Sequence, residues 1–161
     1  MTERLVLPDN TVLSNFALTQ QSTLAVQACP GRACTTDAAL AEYLAAPESA
    51  RLAQNAWRDL PIIEPTDRER QLAGALPGRV GAGERACLAV AVERGGILAT
   101  DDMLARRIAA RLGIKTTGTV GLLIMAIEAR LISLDQANAS LTAMIAAGYR
   151  SPVASLDALL I

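Results

Sequence analysis

Short apolar runs alternate with longer stretches of helical spacing along this chain. Arg4-Leu5-Val6-Leu7 predicts a buried strand that Pro8 stops, and Val12, Leu13, Phe16 and Ala17 then fall at helical spacing. Thr23 to Cys29 predicts a second helix, Cys29-Pro30-Gly31 a turn, and Arg32-Ala33-Cys34 a brief strand. Thr36 or Asp37 caps a helix through Ala38, Leu40, Ala41 and Leu44, and Pro47-Glu48-Ser49 opens another that ends on Trp57 in the core. Leu60 to Pro65 is a proline-bracketed run that suits a sheet edge. Thr66-Asp67-Arg68-Glu69 has the form of a capping box, with a helix to about Leu76. The glycine-rich loop Pro77 to Gly83 follows; it lacks the GKS/T ending of a phosphate-binding P-loop.

From Glu84 the pattern is almost wholly apolar until Gly95-Gly96, which predicts a buried helix. Ile97-Leu98-Ala99 reads as a strand buried on both faces, with Asp101-Asp102 just past its end. Met103 to Leu112 is a helix carrying Arg106, Arg107 and Arg111, and Ile114-Lys115-Thr116 a last strand. Helices are predicted for Leu122 to Ala129, about Leu134 to Ala147, and Ser155 to Ile161. Strands alternating with helices predict an α/β fold, a short central parallel sheet with helices on both faces. A length of 161 residues predicts one domain, 1–161.

Composition narrows the chemistry. The chain is 52% hydrophobic but 2% aromatic, so its core is built of Ala, Leu, Ile and Val. Lys+Arg is 15 against Asp+Glu 16, a net charge of -1, so any basic surface is local. With His at 0, the common Ser-His-Asp and Cys-His nucleophile systems are excluded, and zinc is disfavoured. Cys29, Cys34 and Cys87 are odd in number and no secretory signal is recognisable before the first strand. Reduced thiols and a cytoplasmic location are therefore expected. No apolar run approaches the roughly 20 residues of a membrane span.

Polar chemistry is left to carboxylates, arginines, hydroxyls or a bound ion. Asp9 and Asp101-Asp102 both follow strand ends, and in a parallel sheet those ends share one edge, where ligands gather. Each reads equally well as a helix cap that never meets the others. Glu42, on the face opposite Leu40 and Leu44, reads alone as a solvated helix residue. Glu84 sits at the first turn of its helix, and a helix antiparallel to the strand it feeds is expected to start at the opposite sheet edge. Carboxylates sharing a crevice repel one another unless a cation joins them, and an oxygen-only set selects Mg²⁺ or Mn²⁺.

Four stretches carry a family resemblance: Leu7 to Phe16 around Asp9, Asp37 to Glu42, Gly81 to Ala86 around Glu84, and Ala99 to Arg106 around Asp101-Asp102. Gly113 to Leu123 strengthens it. The chain resembles PIN-domain proteins of the compact prokaryotic kind related to toxin ribonucleases, and a subgroup described as predicted nucleic-acid-binding. The resemblance implies a PIN-like three-layer fold and a metal-dependent endoribonuclease, with Asp9, Glu42, Glu84 and Asp102 as catalytic acids. It implies Mg²⁺ or Mn²⁺ held by Asp9, Glu84 and the Asp101-Asp102 pair, with Asp102 matching better than Asp101. Glu84 stands where many members have Asp. Thr11 and Thr100 are candidate supporting hydroxyls, and Arg85, Arg106 and Arg107 candidate phosphate contacts, each readable also as surface arginine. RNA, a small antitoxin protein and a second copy of the chain are the implied partners, with no membrane. A PIN-fold binding or assembly module that cleaves nothing is the alternative, suited to near-neutral charge and scarce aromatics. A phosphoryl-transfer receiver domain ranks below both, since the acid pair follows the fourth strand rather than the first.

Overall fold

The computed structural model describes residues 3–46 and 55–160. Three strands, β1 (Val6–Pro8), β4 (Ile97–Ala99) and β5 (Thr116–Thr117), form a parallel sheet in the order β1-β4-β5. Val6 pairs with Ile97 and Pro8 with Ala99; Leu98 pairs with Thr116. A second parallel pair joins β2 (Thr35–Thr36) to β3 (Ile62–Ile63), and a bridge from Val6 to Ala33 splices it onto β1. The first and fourth strands are therefore neighbours, and Asp9 and Asp101-Asp102 share one sheet edge.

The eight α-helices among the described residues are α1 (Asn10–Leu18), α2 (Ser22–Gln27), α3 (Asp37–Ala45), α4 (Asp67–Ala75), α5 (Ala82–Arg94), α6 (Met103–Arg111), α7 (Thr119–Glu128) and α8 (Leu134–Ala146). Alternation along the strands assigns them to two faces. Val6 and Ala99 pack with Phe16, Trp57, Leu122 and Leu141 on one side. Leu7 and Leu98 pack with Cys87, Leu88, Ala105 and Ile108 on the other. This is the expected three-layer α/β arrangement, and burial of both strand faces explains why these runs are continuously apolar.

Local signals hold in detail. Thr66 and Glu69 form a reciprocal capping box on α4, and Ser133 and Gln136 another on α8. Gly95 ends α5 at φ 69, a left-handed value that a Cβ disfavours. The edge strand β3 leaves Ile62 49% exposed. All three cysteines are free and buried. No described helix is long and apolar enough to cross a membrane.

Some expectations shift. The brief strand at 32–34 lies instead at Thr35–Thr36, with Ala33 making only the bridge. α7 starts at Thr119 rather than Leu122, because Gly118 carries the cap and Thr119 enters the helix. Of the helix expected over Ser155 to Ile161, the described residues form only a single 3₁₀ turn, Asp157–Leu159. Asn138 on α8 accepts from the Leu156 amide at 2.8 Å and donates to Asp157, which ties this short segment to α8, and so short a run has little helical stability of its own. Most of the helix expected from Pro47 lies outside the described residues; Trp57 at its end is buried, as expected.

Candidate functional site

Asp9 ends β1 and begins α1. Its amide donates to the Ala99 carbonyl at 2.9 Å, which ties its position to the end of β4. Its side chain is fully buried. Oδ1 caps α1, accepting from the Thr11 amide at 3.0 Å, the Thr11 hydroxyl at 2.6 Å and the Val12 amide at 3.4 Å. Among the described residues Oδ2 is buried with no hydrogen bond of good geometry, although the Thr100 hydroxyl lies near the carboxyl. The capping reading thus holds for Oδ1, and Oδ2 takes no part in it. Burial drives its carboxyl up to about 6; the hydroxyls of Thr100 and Thr11 and the Val12 amide oppose this, and the Asp101 charge adds to it.

Glu84 lies in the first turn of α5, half-buried. Its carboxyl is pushed up to about 7, by burial first and then by the charges of Asp9, Glu42 and Asp102. Asp9, Glu42 and Asp102 each therefore lie within electrostatic reach of Glu84. The expectation that an antiparallel helix starts at the far sheet edge is corrected here. A helix running back between parallel strands begins where strands end, so its first turn lies at their carboxyl edge with no tilt required.

Glu42 reaches the same place from α3, accepting from the Gly83 amide through Oε1. Glycine makes that approach: a Cβ on Gly83 would lie 2.8 Å from the Ala39 Cα and 3.1 Å from the Glu42 Cδ. A Cβ on Gly81 would collide with the Glu84 carboxylate and meet that of Glu42 at 3.2 Å. The loop glycines thus close the space around both glutamates.

The adjacent aspartates have different surroundings. Asp101 accepts from the Thr119 amide at 3.0 Å and Tyr149 hydroxyl at 3.4 Å through Oδ1, and from the Thr119 hydroxyl at 2.5 Å and Asn15 Nδ2 at 3.0 Å through Oδ2. Asp102 caps α6 through Oδ2, accepting from the Ala105 amide at 3.0 Å, and among the described residues its Oδ1 has no hydrogen bond. Asp101 joins three elements; Asp102 keeps a free oxygen beside Glu84.

The expected supporting hydroxyls lie between these acids. Thr11 donates to Asp9 and accepts from the Asp101 amide at 3.0 Å, and Thr100 accepts from the Asp102 amide at 3.1 Å. The arginines divide. Arg106 donates through Nε to the Thr100 carbonyl at 3.0 Å, Arg85 has a buried Nε with no partner, and Arg107 is exposed. Asn15, Thr119 and Tyr149 were not singled out from sequence. Their only early signals were a polar residue one turn past Thr11, a threonine at a helix start, and a rare aromatic in a loop.

Among the described residues no ion pair neutralises Asp9, Glu42, Glu84 or Asp102. Nor are three or more carboxylate or thiol groups there already gathered into a metal-ligand cluster. The donor set nonetheless fits a hard divalent cation. It is all oxygen, it carries an orphaned buried oxygen on Asp9, and its mutual repulsion lacks a counter-charge.

A short parallel sheet between helical layers, with acids from four elements at its carboxyl edge, defines a nuclease-like α/β protein. The chain matches a family described as a PIN domain over residues 5–160, and it belongs to that family. No similar curated protein or solved structure was found.

Proposed function

We propose that this PIN domain, acting as one unit over 1–161, is a Mg²⁺- or Mn²⁺-dependent endoribonuclease that hydrolyses RNA phosphodiester bonds. The observation that carries this reading is the unneutralised acid group, in which Glu84 is raised to about 7 partly by Asp9, Glu42 and Asp102. Asp9 through Oδ2, Glu84, and Asp102 through Oδ1 would hold the ion. When bound, such an ion activates water and stabilises the charge of an in-line phosphoryl displacement. Glu42, anchored at Oε1 by the Gly83 amide, keeps Oε2 to orient the attacking water and take its proton. Asp101 holds β4, α1 and α7 in register, so we assign it a positioning role rather than ligation.

The test is a Mn²⁺ titration by calorimetry on wild type and Asp9→Asn, followed by RNA cleavage with both. The expected result is binding and cleavage by wild type only. No Mn²⁺ binding by wild type would remove the metal site. Binding without cleavage of any RNA would favour the second reading, a PIN-fold binding or assembly module. That reading is supported by the engagement of Glu42 with a backbone amide and by the absence of a ready-made metal-ligand cluster among the described residues. Family resemblance adds a toxin role in the cytoplasm, neutralised by a small antitoxin, and a homodimer. A small antitoxin-like reading frame beside the gene would support the first of these, and sedimentation would test the second.

A further inference from the structure

A groove of about 630 Å³ runs from Asp101-Asp102 between α6 and the loop that follows α8. Met103, Arg106, Val120, Tyr149 and Arg150 line it. Its lining carries four charged side chains, Asp101 and Asp102 from the acid group and the arginines Arg106 and Arg150. Neither arginine forms an ion pair among the described residues. Arg106 is already positioned, with Nε on the Thr100 carbonyl. Its guanidinium is packed against Gly118, where a Cβ would lie 2.5 Å from both Arg106 Nη2 and Asp101 Oδ1, so Asp101 lies near it without pairing. Arg150 is exposed, and Met103 is 62% exposed. The two arginines thus offer places for anionic groups within a groove that also reaches Asp101 and Asp102.

We propose that this groove is the track of a single nucleic-acid strand on one side of the scissile phosphate. Its phosphates lie on Arg106 and Arg150, and an unstacked base lies against Met103 and Tyr149. The inference rests on the endoribonuclease reading for the direction of the strand. Cations interleaved with an aromatic ring and apolar side chains suit an unpaired strand, whose bases are free to leave the stack. A basic antitoxin segment suits it less, since two unpaired arginines repel it. Arg107, one residue on, does not line the groove and serves as the internal control.

The experiment measures anisotropy of a labelled ten-nucleotide oligonucleotide, as RNA and as DNA, in excess EDTA so that nothing is cleaved. Arg150→Ala is expected to weaken RNA binding about fivefold and reduce the salt slope by about 1, Arg150→Lys to restore most of it, and Arg107→Ala to change it less than about twofold. Mn²⁺ affinity, measured by calorimetry on the same variants, is expected to be unchanged. Equal binding by Arg150→Ala and wild type, an equal loss in Arg107→Ala, or no RNA binding by wild type would overturn the groove. Equal RNA and DNA affinity would assign it to the phosphodiester backbone, and tighter RNA binding to the ribose; both agree with the proposal. If wild type binds RNA through Arg150 but takes no Mn²⁺, the ribonuclease reading falls and the groove stands. If it cleaves RNA with Arg150→Ala unaffected, the reverse holds.

Discussion

The two oxygens of Asp9 have different surroundings. Oδ1 caps the amino end of α1, and among the described residues Oδ2 is buried without a hydrogen bond. Its folded-state carboxyl, at about 6, lies above its ordinary 3.8, so the native state holds the proton more tightly than the unfolded chain. Stability of the metal-free protein therefore falls as pH rises from 3.8 to about 6, and Glu84 continues the fall to about 7. Asp9→Asn removes the more deeply buried of these two charges. It is expected to stabilise the metal-free protein at pH 8 by about 2 kcal/mol in urea unfolding, while abolishing Mn²⁺ binding. A variant less stable than wild type at pH 8 would show that the Asp9 charge is compensated. Asp101 and Asp102 separate under the same measurements. Asp101→Ala orphans donors on α1, α7 and the Tyr149 loop and is expected to destabilise by about 3 kcal/mol. Asp102→Ala loses a helix cap, about 1 kcal/mol, and loses Mn²⁺ affinity. The sequence places both beside the strand end but cannot divide their roles, because the partners of Asp101 lie on other elements.

At the scale of elements, two contacts bring α5 to its place. Near its start α5 packs on α3, with no room for a side chain at Gly83. Gly83→Ala is expected to cost about 2 kcal/mol in denaturant unfolding and to separate Glu42 from Glu84, lowering cleavage at saturating Mn²⁺. At its other end Arg94 grips Glu69 of α4 through two nitrogens, each at 2.8 Å, and holds that carboxyl down to about 2. Here the sign is opposite to that of Asp9. The folded-state value lies below the ordinary 4.5, so this stabilisation is complete above 4.5 and is lost as pH falls towards about 2. Glu69→Gln is expected to lose about 2 kcal/mol at pH 7, with the gap to wild type narrowing as unfolding is repeated towards pH 2. The capping box that includes Glu69 was legible in four consecutive residues. Its pairing with Arg94, 25 residues on, was not, since nothing local requires it.

For the whole molecule, net charge says little and placement says much. Fifteen cations and sixteen anions nearly cancel, yet the acids collect at the sheet edge and two arginines line the groove beyond it. With two cations placed to meet the phosphates of a single strand, the logarithm of RNA affinity is expected to fall with the logarithm of salt at a slope of only about −1.5. A steep slope, measured by anisotropy between 50 and 300 mM salt, would require a wider basic surface. The sequence by itself determined the alternation of strand and helix, the caps, the acids at strand ends and the family resemblance. These depend on periodicity and on hydrogen bonds spanning a few residues, so they are written locally. The tertiary structure decided that β1 lies beside β4, that Asp9, Glu42 and Asp102 lie within electrostatic reach of Glu84, that among the described residues Asp102 rather than Asp101 keeps an oxygen without a hydrogen bond, and that Arg106 rather than Arg107 enters the groove. Each of these depends on helix crossing and sheet order between residues far apart in the chain. There the close approach at Gly83 and the registers of β1 with β4 and β4 with β5 set the geometry.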